Sequence, residues 1–186
     1  MRGINRANRD VLNESNIIKR QSLGIKCVFI SHQKKDSAPC KLIADYILSA
    51  GIDVYFDEYD QDLKISNQTG NAKGVVNAIR KGIHKSSHML CVLSENTLGS
   101  KWVPFEIGYG FENTDLGVLT LKDIPNKDIP DYIKTAPLII RGTESLNKYI
   151  TRITNKSITN LSESSSLIKN HNISSHYLDD VLNWDK

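Results

Sequence analysis

Five short apolar runs punctuate this chain at near-regular intervals, and segments with helical periodicity separate them. The runs lie at 26–32, 53–57, 89–93, 117–121 and 137–140. Each is only four to seven residues long and is apolar on both alternating faces, not one. A strand buried on both sides belongs to a parallel sheet covered by helices above and below. The intervening segments supply those helices. Leu42, Ile43, Tyr46 and Ile47 share one face of a segment that Asp36 or Ser37 can cap and Gly51 ends. Val75, Val76, Ile79 and Ile83 mark a second helix over 73–85, and Leu146, Tyr149, Ile150 and Ile153 a last one over 143–154. Residues 96–112 read as a broken or late-starting helix, and 58–72, polar throughout, as a long loop of the kind that often serves function. The expectation is an α/β, flavodoxin-like, doubly wound five-stranded parallel sheet.

Charge and composition narrow the classes. The net charge of +3 is confined to the first 20 residues, where Arg2, Arg6, Arg9, Lys19 and Arg20 face only Asp10 and Glu14. The remainder carries 19 charges of each sign, which argues against a nucleic-acid-binding surface. No apolar run approaches the roughly 18 residues of a membrane span, and the opening residues do not form a secretory signal. A cytoplasmic protein is expected, without membrane or nucleic-acid partners. Cys27, Cys40 and Cys91 lack metal-ligand spacing, as do the histidines, so reduced core thiols and no metal site are expected. The chain divides into a basic N-terminal arm (1–25), the sheet domain (26–154) and a Ser/Asn-rich extension with a short helix (155–186). That extension ends in an apolar cluster, Tyr177, Leu178, Val181, Leu182 and Trp184, expected either to dock or to serve interaction.

Ligands of doubly wound sheets bind beyond the carboxyl ends of the strands. Those ends deliver Ser31, His32, Gln33 and Lys34 from the first strand, Asp57, Glu58, Asp60 and Asp62 from the second, and Ser94 and Glu95 from the third. Trp102 and Glu106 follow, one helical turn apart. Pro104 suits a first turn, so the regular helix is expected to begin near 101–104, with Glu106 close to its positive end and held ionised. An aromatic plate beside a carboxylate suits a ligand with a flat ring and a cationic centre. Taken alone, Trp102 also fits core packing, and Glu106 and the acids at 57–62 also fit a solvated surface.

Four blocks occur in order: Cys-Val-Phe-Ile-Ser-His at 27–32, Gly-Ile-Asp-Val-Tyr-Phe-Asp-Glu-Tyr-Asp at 51–60, Met-Leu-Cys-Val-Leu-Ser-Glu-Asn-Thr-Leu at 89–98, and Ser-Lys-Trp-Val-Pro-Phe-Glu-Ile at 100–107. Together they resemble a TIR domain over about 26–154. The resemblance implies cleavage of NAD+ at its nicotinamide–ribose bond, with NAD+ as substrate and no resident cofactor. It implies Glu106 as the catalytic carboxylate and Trp102 as the aromatic residue beside it. Substrate contacts fall to Ser31, His32, Gln33, Lys34, Asp57, Asp60 and Ser94. Some family members carry two arginines where this chain has Gln33 and Lys34, which puts the phosphate or ribose contacts there in doubt. The chain further resembles the bacterial TIR subunit of Thoeris-type anti-phage defence. That implies a cyclic or conjugated ADP-ribose messenger acting on a separate effector, TIR–TIR self-association and a phage-derived trigger. A glycohydrolase that depletes NAD+ and a non-enzymatic TIR–TIR adaptor are the alternatives. A phosphorelay receiver would need acids where Ser31, His32 and Gln33 stand. The glycines at 70 and 74 lack P-loop spacing, and no nucleophile elbow accompanies Ser31 for a serine hydrolase.

Overall fold

The computed structural model describes residues 2–8, 14–122, 124, 125, 127, 129–169 and 175–185. Arg9 and Asp10 of the basic arm lie outside these. Five parallel strands form one sheet: β1 (Cys27–Ser31), β2 (Asp53–Tyr55), β3 (His88–Leu93), β4 (Asp115–Thr120) and β5 (Leu138–Ile140). Their order is β2-β1-β3-β4-β5, the doubly wound flavodoxin-like arrangement. Helices are α1 (Glu14–Ser22), α2 (Ser37–Ser49), α3 (Gln61–Gln68), α4 (Ala72–His84), α5 (Glu95–Leu98), α6 (Val103–Asn113), α7 (Asp131–Lys134), α8 (Thr143–Thr154) and α9 (Ile158–Ser164).

Alternation along the strands sorts side chains into two cores. Val28, Ile30, Leu90, Val92 and Leu119 face Ile43, Ile47, Leu146 and Ile150 of α2 and α8. Cys27, Phe29, Met89, Cys91, Leu93 and Val118 face Val75, Ile79 and Ile83 of α4 and Val103 and Ile107 of α6. The strands are thus apolar on both faces because both faces are covered. Helix α6 rides close to β3: a Cβ at Gly110 would stand 2.1 Å from Met89 Sδ. That proximity seats the first turn of α6 above the strand ends.

Both termini pack against the sheet domain. Residues 3–6 run beside β2, with a parallel bridge between Asn5 and Val54. Arg6 is buried and its Nε donates to Asp53 Oδ2 at 2.8 Å, while Arg20 Nη2 donates to Asp53 Oδ1 at 2.6 Å. Two of the arm's charges therefore neutralise one inward carboxylate at the sheet edge. At the other end, Ile168, Leu178, Val181 and Leu182 are buried in the core beside α2 and α8. The backbone ties Lys122 to Val181 and Thr143 to Asn183, so the apolar cluster docks.

The segment 58–72 is also not a simple loop. After a 3-10 turn at Asp57–Tyr59 comes the two-turn helix α3. Asp60 caps it, accepting from the backbone N–H groups of Asp62 (2.9 Å) and Leu63 (3.2 Å). The helix escapes a periodicity reading because its only buried residue is the polar Ser66.

Candidate active site

The strand ends, α3 and the first turn of α6 enclose a cleft of about 430 Å³. Glu106 forms part of its floor and is 95 % buried (5 % exposed). Ser31, the last residue of β1 and 1 % exposed, donates its hydroxyl to Glu106 Oε2. Cys91, its register partner on β3, lies against the same pair. Helix α6 begins at Val103 with Pro104 in its first turn, as the proline rule predicts. Ser100 Oγ accepts from the N–H groups of Trp102 and Val103, both at 3.2 Å, and fixes the entry.

Burial works against the expectation that Glu106 stays ionised. Loss of water raises its pKa to about 8, and the nearby Asp57 carboxylate pushes the same way. The Ser31 hydrogen bond opposes both and is outweighed. The position at a helix start is as expected, but its fraction of a charge does not offset a desolvated carboxylate. Asp57 is also shifted upward, first by desolvation, with His32 acting against it. Burial, reinforced by Glu106, pushes the Cys91 thiol up to about 12, which makes it a packing residue and not a nucleophile.

His32 is held by three contacts. Its ring stacks on Phe56 with centroids 4.7 Å apart, and Nδ1 lies 3.3 Å from the Ile30 carbonyl and 3.6 Å from Asp57 Oδ1. Gln33 turns back to cap the Lys34 N–H at 3.0 Å, and both residues line the cleft. Trp102 lines it too, at 37 % exposure, so this indole is a wall of the cleft and not core packing.

Six of the nine anticipated site residues therefore line one cleft: His32, Gln33, Lys34, Asp57, Trp102 and Glu106. Ser31 reaches it only through Glu106. The other two, Asp60 and Ser94, do not line it and instead hold the scaffold. Asp60 is buried beneath α3, taking the Tyr55 hydroxyl as well as the helix cap. Ser94 caps α5 and donates to the buried Asp36 at 2.5 Å, tying the turn after β1 to the turn after β3. Asn96 Nδ2 donates to the other Asp36 oxygen at 2.6 Å. The strand-end rule gave both the right rim but could not say which way each side chain turns.

Sequence reasoning missed the side of the cleft that α3 and α4 build: Leu63, Lys64, Asn67 and Gln68 from α3, Val75 and Ile79 from α4. The available signal was Asp60 as a helix cap. Among the described residues no group of three or more His, Cys, Asp or Glu is placed to hold a metal ion. Nor is any described helix long and apolar enough to cross a membrane.

This sheet order, with a cleft at the strand ends and a Trp–Glu turn opening α6, defines a TIR-type fold. The family model for the TIR domain matches residues 28–141, and the chain belongs to that family. It is also 33 % identical over 100 residues to a Cytobacillus dafuensis protein named "Putative cyclic ADP-D-ribose synthase TIR2". That match covers 53 % of this chain and 25 % of the relative, so the chain spans a quarter of that protein's length.

Proposed function

We propose that this TIR domain cleaves NAD+ at the nicotinamide–ribose bond and yields a cyclic or conjugated ADP-ribose messenger. A separate effector in a Thoeris-type bacterial anti-phage system would read that product. The observation that carries the reading is Glu106, a buried carboxyl anchored by Ser31 on the floor of a cleft walled by Trp102. The name of the C. dafuensis relative supports the cyclising outcome.

The chemistry follows from charge. Nicotinamide in NAD+ carries a positive ring, and heterolysis returns the bonding electron pair to its nitrogen, so it departs neutral. Positive charge then develops on the ribose as an oxocarbenium-like centre. A fixed anion beside that ribose stabilises the transition state. With its pKa raised to about 8, Glu106 is protonated at neutral pH before substrate binds. The incoming cationic ring reverses the balance, since a nearby positive charge favours the carboxylate. Substrate binding thereby ejects a proton and creates the anion where it is needed. Glu106 can then accept hydrogen bonds from ribose hydroxyls, while Trp102 stacks on the departing ring or screens it from water. Attack at ribose C1′ by an adenine nitrogen or a hydroxyl of the same molecule closes a ring and releases one proton.

A second reading, hydrolysis to linear ADP-ribose, is favoured by the exposure of Lys64, Asn67 and Gln68 along the cleft, which admits water. Mass-resolved analysis of products from NAD+ separates the two, run at high protein concentration with and without phage-infected lysate. A Glu106-dependent cyclic or conjugated product supports the messenger reading, and linear ADP-ribose supports the hydrolase. No consumption under either condition overturns both in favour of a non-enzymatic TIR–TIR adaptor.

A further inference from the structure

Residues 175–185 lie over α2 and α8 as a strap. A turn at 177–181 carries Leu178, Val181 and Leu182 into the core that holds Ile43, Ile47, Leu146 and Ile150. The strap then follows the rim of the sheet. There the Lys122 N–H donates to the Val181 carbonyl and the Thr143 N–H to the Asn183 carbonyl, both at 2.9 Å. Asp185 Oδ1 accepts the Ser145 N–H at 3.0 Å and so caps the first turn of α8. The fit is close: a Cβ at Gly142 would stand 2.1 Å from the Asn183 carbonyl oxygen.

His176 opens the strap's turn and is 6 % exposed. The Leu178 N–H donates to its Nδ1 at 3.1 Å, so the proton of the neutral ring sits on Nε2. The ring nitrogen thus closes the turn as an Asn or Asp oxygen does, by taking the N–H two residues on. Nε2 is buried and has no hydrogen-bond partner among the described residues. The ring meets Tyr46 and Trp184 edge-on, with centroids 5.6 and 5.9 Å away. A second proton would oppose two N–H groups, one on Nδ1 and one on Leu178, and bury a cation whose Nε2–H has no acceptor. The groups around the ring come from each element packed against it. Tyr46 of α2 is neutral and donates to Asn147 Oδ1 of α8 at 2.7 Å. Tyr177 of the strap is neutral as well. Asp179 of the strap accepts the His176 backbone N–H at 2.7 Å and favours the imidazolium, while Lys169, beyond α9, disfavours it. Burial is the largest influence and, with Lys169, outweighs Asp179, holding the His176 pKa below its ordinary 6.5.

We infer that His176 is a pH-sensitive latch: neutral, it holds the C-terminal strap on α2 and α8, and protonated, it lets the strap go. The latch is independent of the reaction proposed for the cleft. Release takes Leu178, Val181 and Leu182 off the core and the Asp185 cap off α8, so an apolar surface appears on the α2–α8 side of the sheet. In the released strap the ring titrates near the ordinary value of about 6.5. Docking is therefore complete above that pH and is lost as pH falls through it. Between pH 7.5 and 5.5 the balance shifts toward release by up to about tenfold.

Amide hydrogen exchange of the full chain at pH 7.5 and 5.5, corrected for the intrinsic rate at each pH, reads the latch. Protection at the Leu178, Leu182 and Lys122 amides should fall by up to about tenfold on acidification, while β1 and β3 keep theirs. His176→Asn keeps an acceptor where Nδ1 stands and cannot take a proton, so its strap should stay protected at both pH values. Unchanged protection in the wild type, the same loss in H176N, or an H176N strap already released at pH 7.5 overturns the latch. An equal loss in β1 and β3 is global opening and overturns it too. The ring nitrogen NMR shifts of the wild type supply a test that needs no variant. A proton on Nε2 at pH 7.5 is expected, and a proton on Nδ1 overturns the latch.

Discussion

Replacing Glu106 by Gln tests the electrostatics of the site before any substrate is added. The side chain keeps its shape and can keep a hydrogen bond to the Ser31 hydroxyl, but it can no longer ionise. In the wild type, burial raises the Glu106 pKa from its ordinary 4.5 to about 8. A carboxyl whose pKa is higher folded than unfolded favours folding while protonated in both states. That contribution is complete below about 4.5 and is lost as pH rises through about 8. Over most of that window the folded protein holds one proton more than the unfolded chain, and stability falls by about 1.4 kcal/mol per pH unit. Between pH 5.5 and 7.5 the loss is about 2.5 kcal/mol. The Gln variant lacks it, so urea unfolding should show E106Q gaining about 2.5 kcal/mol relative to wild type across that interval. His88 and His176, whose pKa values burial lowers, titrate in both proteins and cancel in the difference. A difference flat with pH would refute the reasoning. It would mean that Glu106 is already ionised at pH 5.5 and that the helix terminus and Ser31 outweigh burial.

Other consequences are separately measurable. If the proposed cleavage uses the Glu106 carboxylate, kcat/KM for nicotinamide release should rise with pH and level off above about 8; a profile flat from pH 6 to 9 contradicts this. E106Q should lower turnover at least ~100-fold, the scale of a lost electrostatic stabiliser, with the circular dichroism of the fold intact. Asp53→Ala leaves Arg6 and Arg20 facing each other without their shared acid. Chemical denaturation should register a loss of about 3–5 kcal/mol, and a loss under 1 kcal/mol would show that the N-terminal segment does not seal the sheet edge. Gly110→Ala should cost about 1–3 kcal/mol through overpacking against Met89, read as a drop in the thermal midpoint.

Much of this fold was legible because the strands are short, apolar on both faces and separated by periodic helices. The helix expected over 143–154 occupies Thr143–Thr154, and α6, which Pro104 led one to expect to start near 101–104, begins at Val103. What escaped has physical causes. Helix α3 buries too little for its period to show in hydropathy, although its Asp60 cap was in plain view. The Arg6–Asp53–Arg20 cluster joins residues far apart in sequence, which no local pattern encodes. At the site, position was easier to foresee than state. The rim of strand ends, Trp102 and Glu106 followed from spacing and resemblance. The inward turn of Asp60 and Ser94 depends on which backbone N–H groups need caps. The protonation of Glu106 depends on how completely the first turn of α6 closes over the carboxyl, a property of packing and not of spacing.

The proposed cleavage requires Glu106 to address the ribose of the scissile bond. A crystal structure with an NAD+ analogue whose nicotinamide-side ribose oxygen is replaced by CH2, and so cannot be cleaved, tests it most directly. The nicotinamide ribose hydroxyls are expected within hydrogen-bond distance of Glu106, and the ring against Trp102. Finding the adenine at Glu106, or the analogue bound outside the cleft, would contradict it.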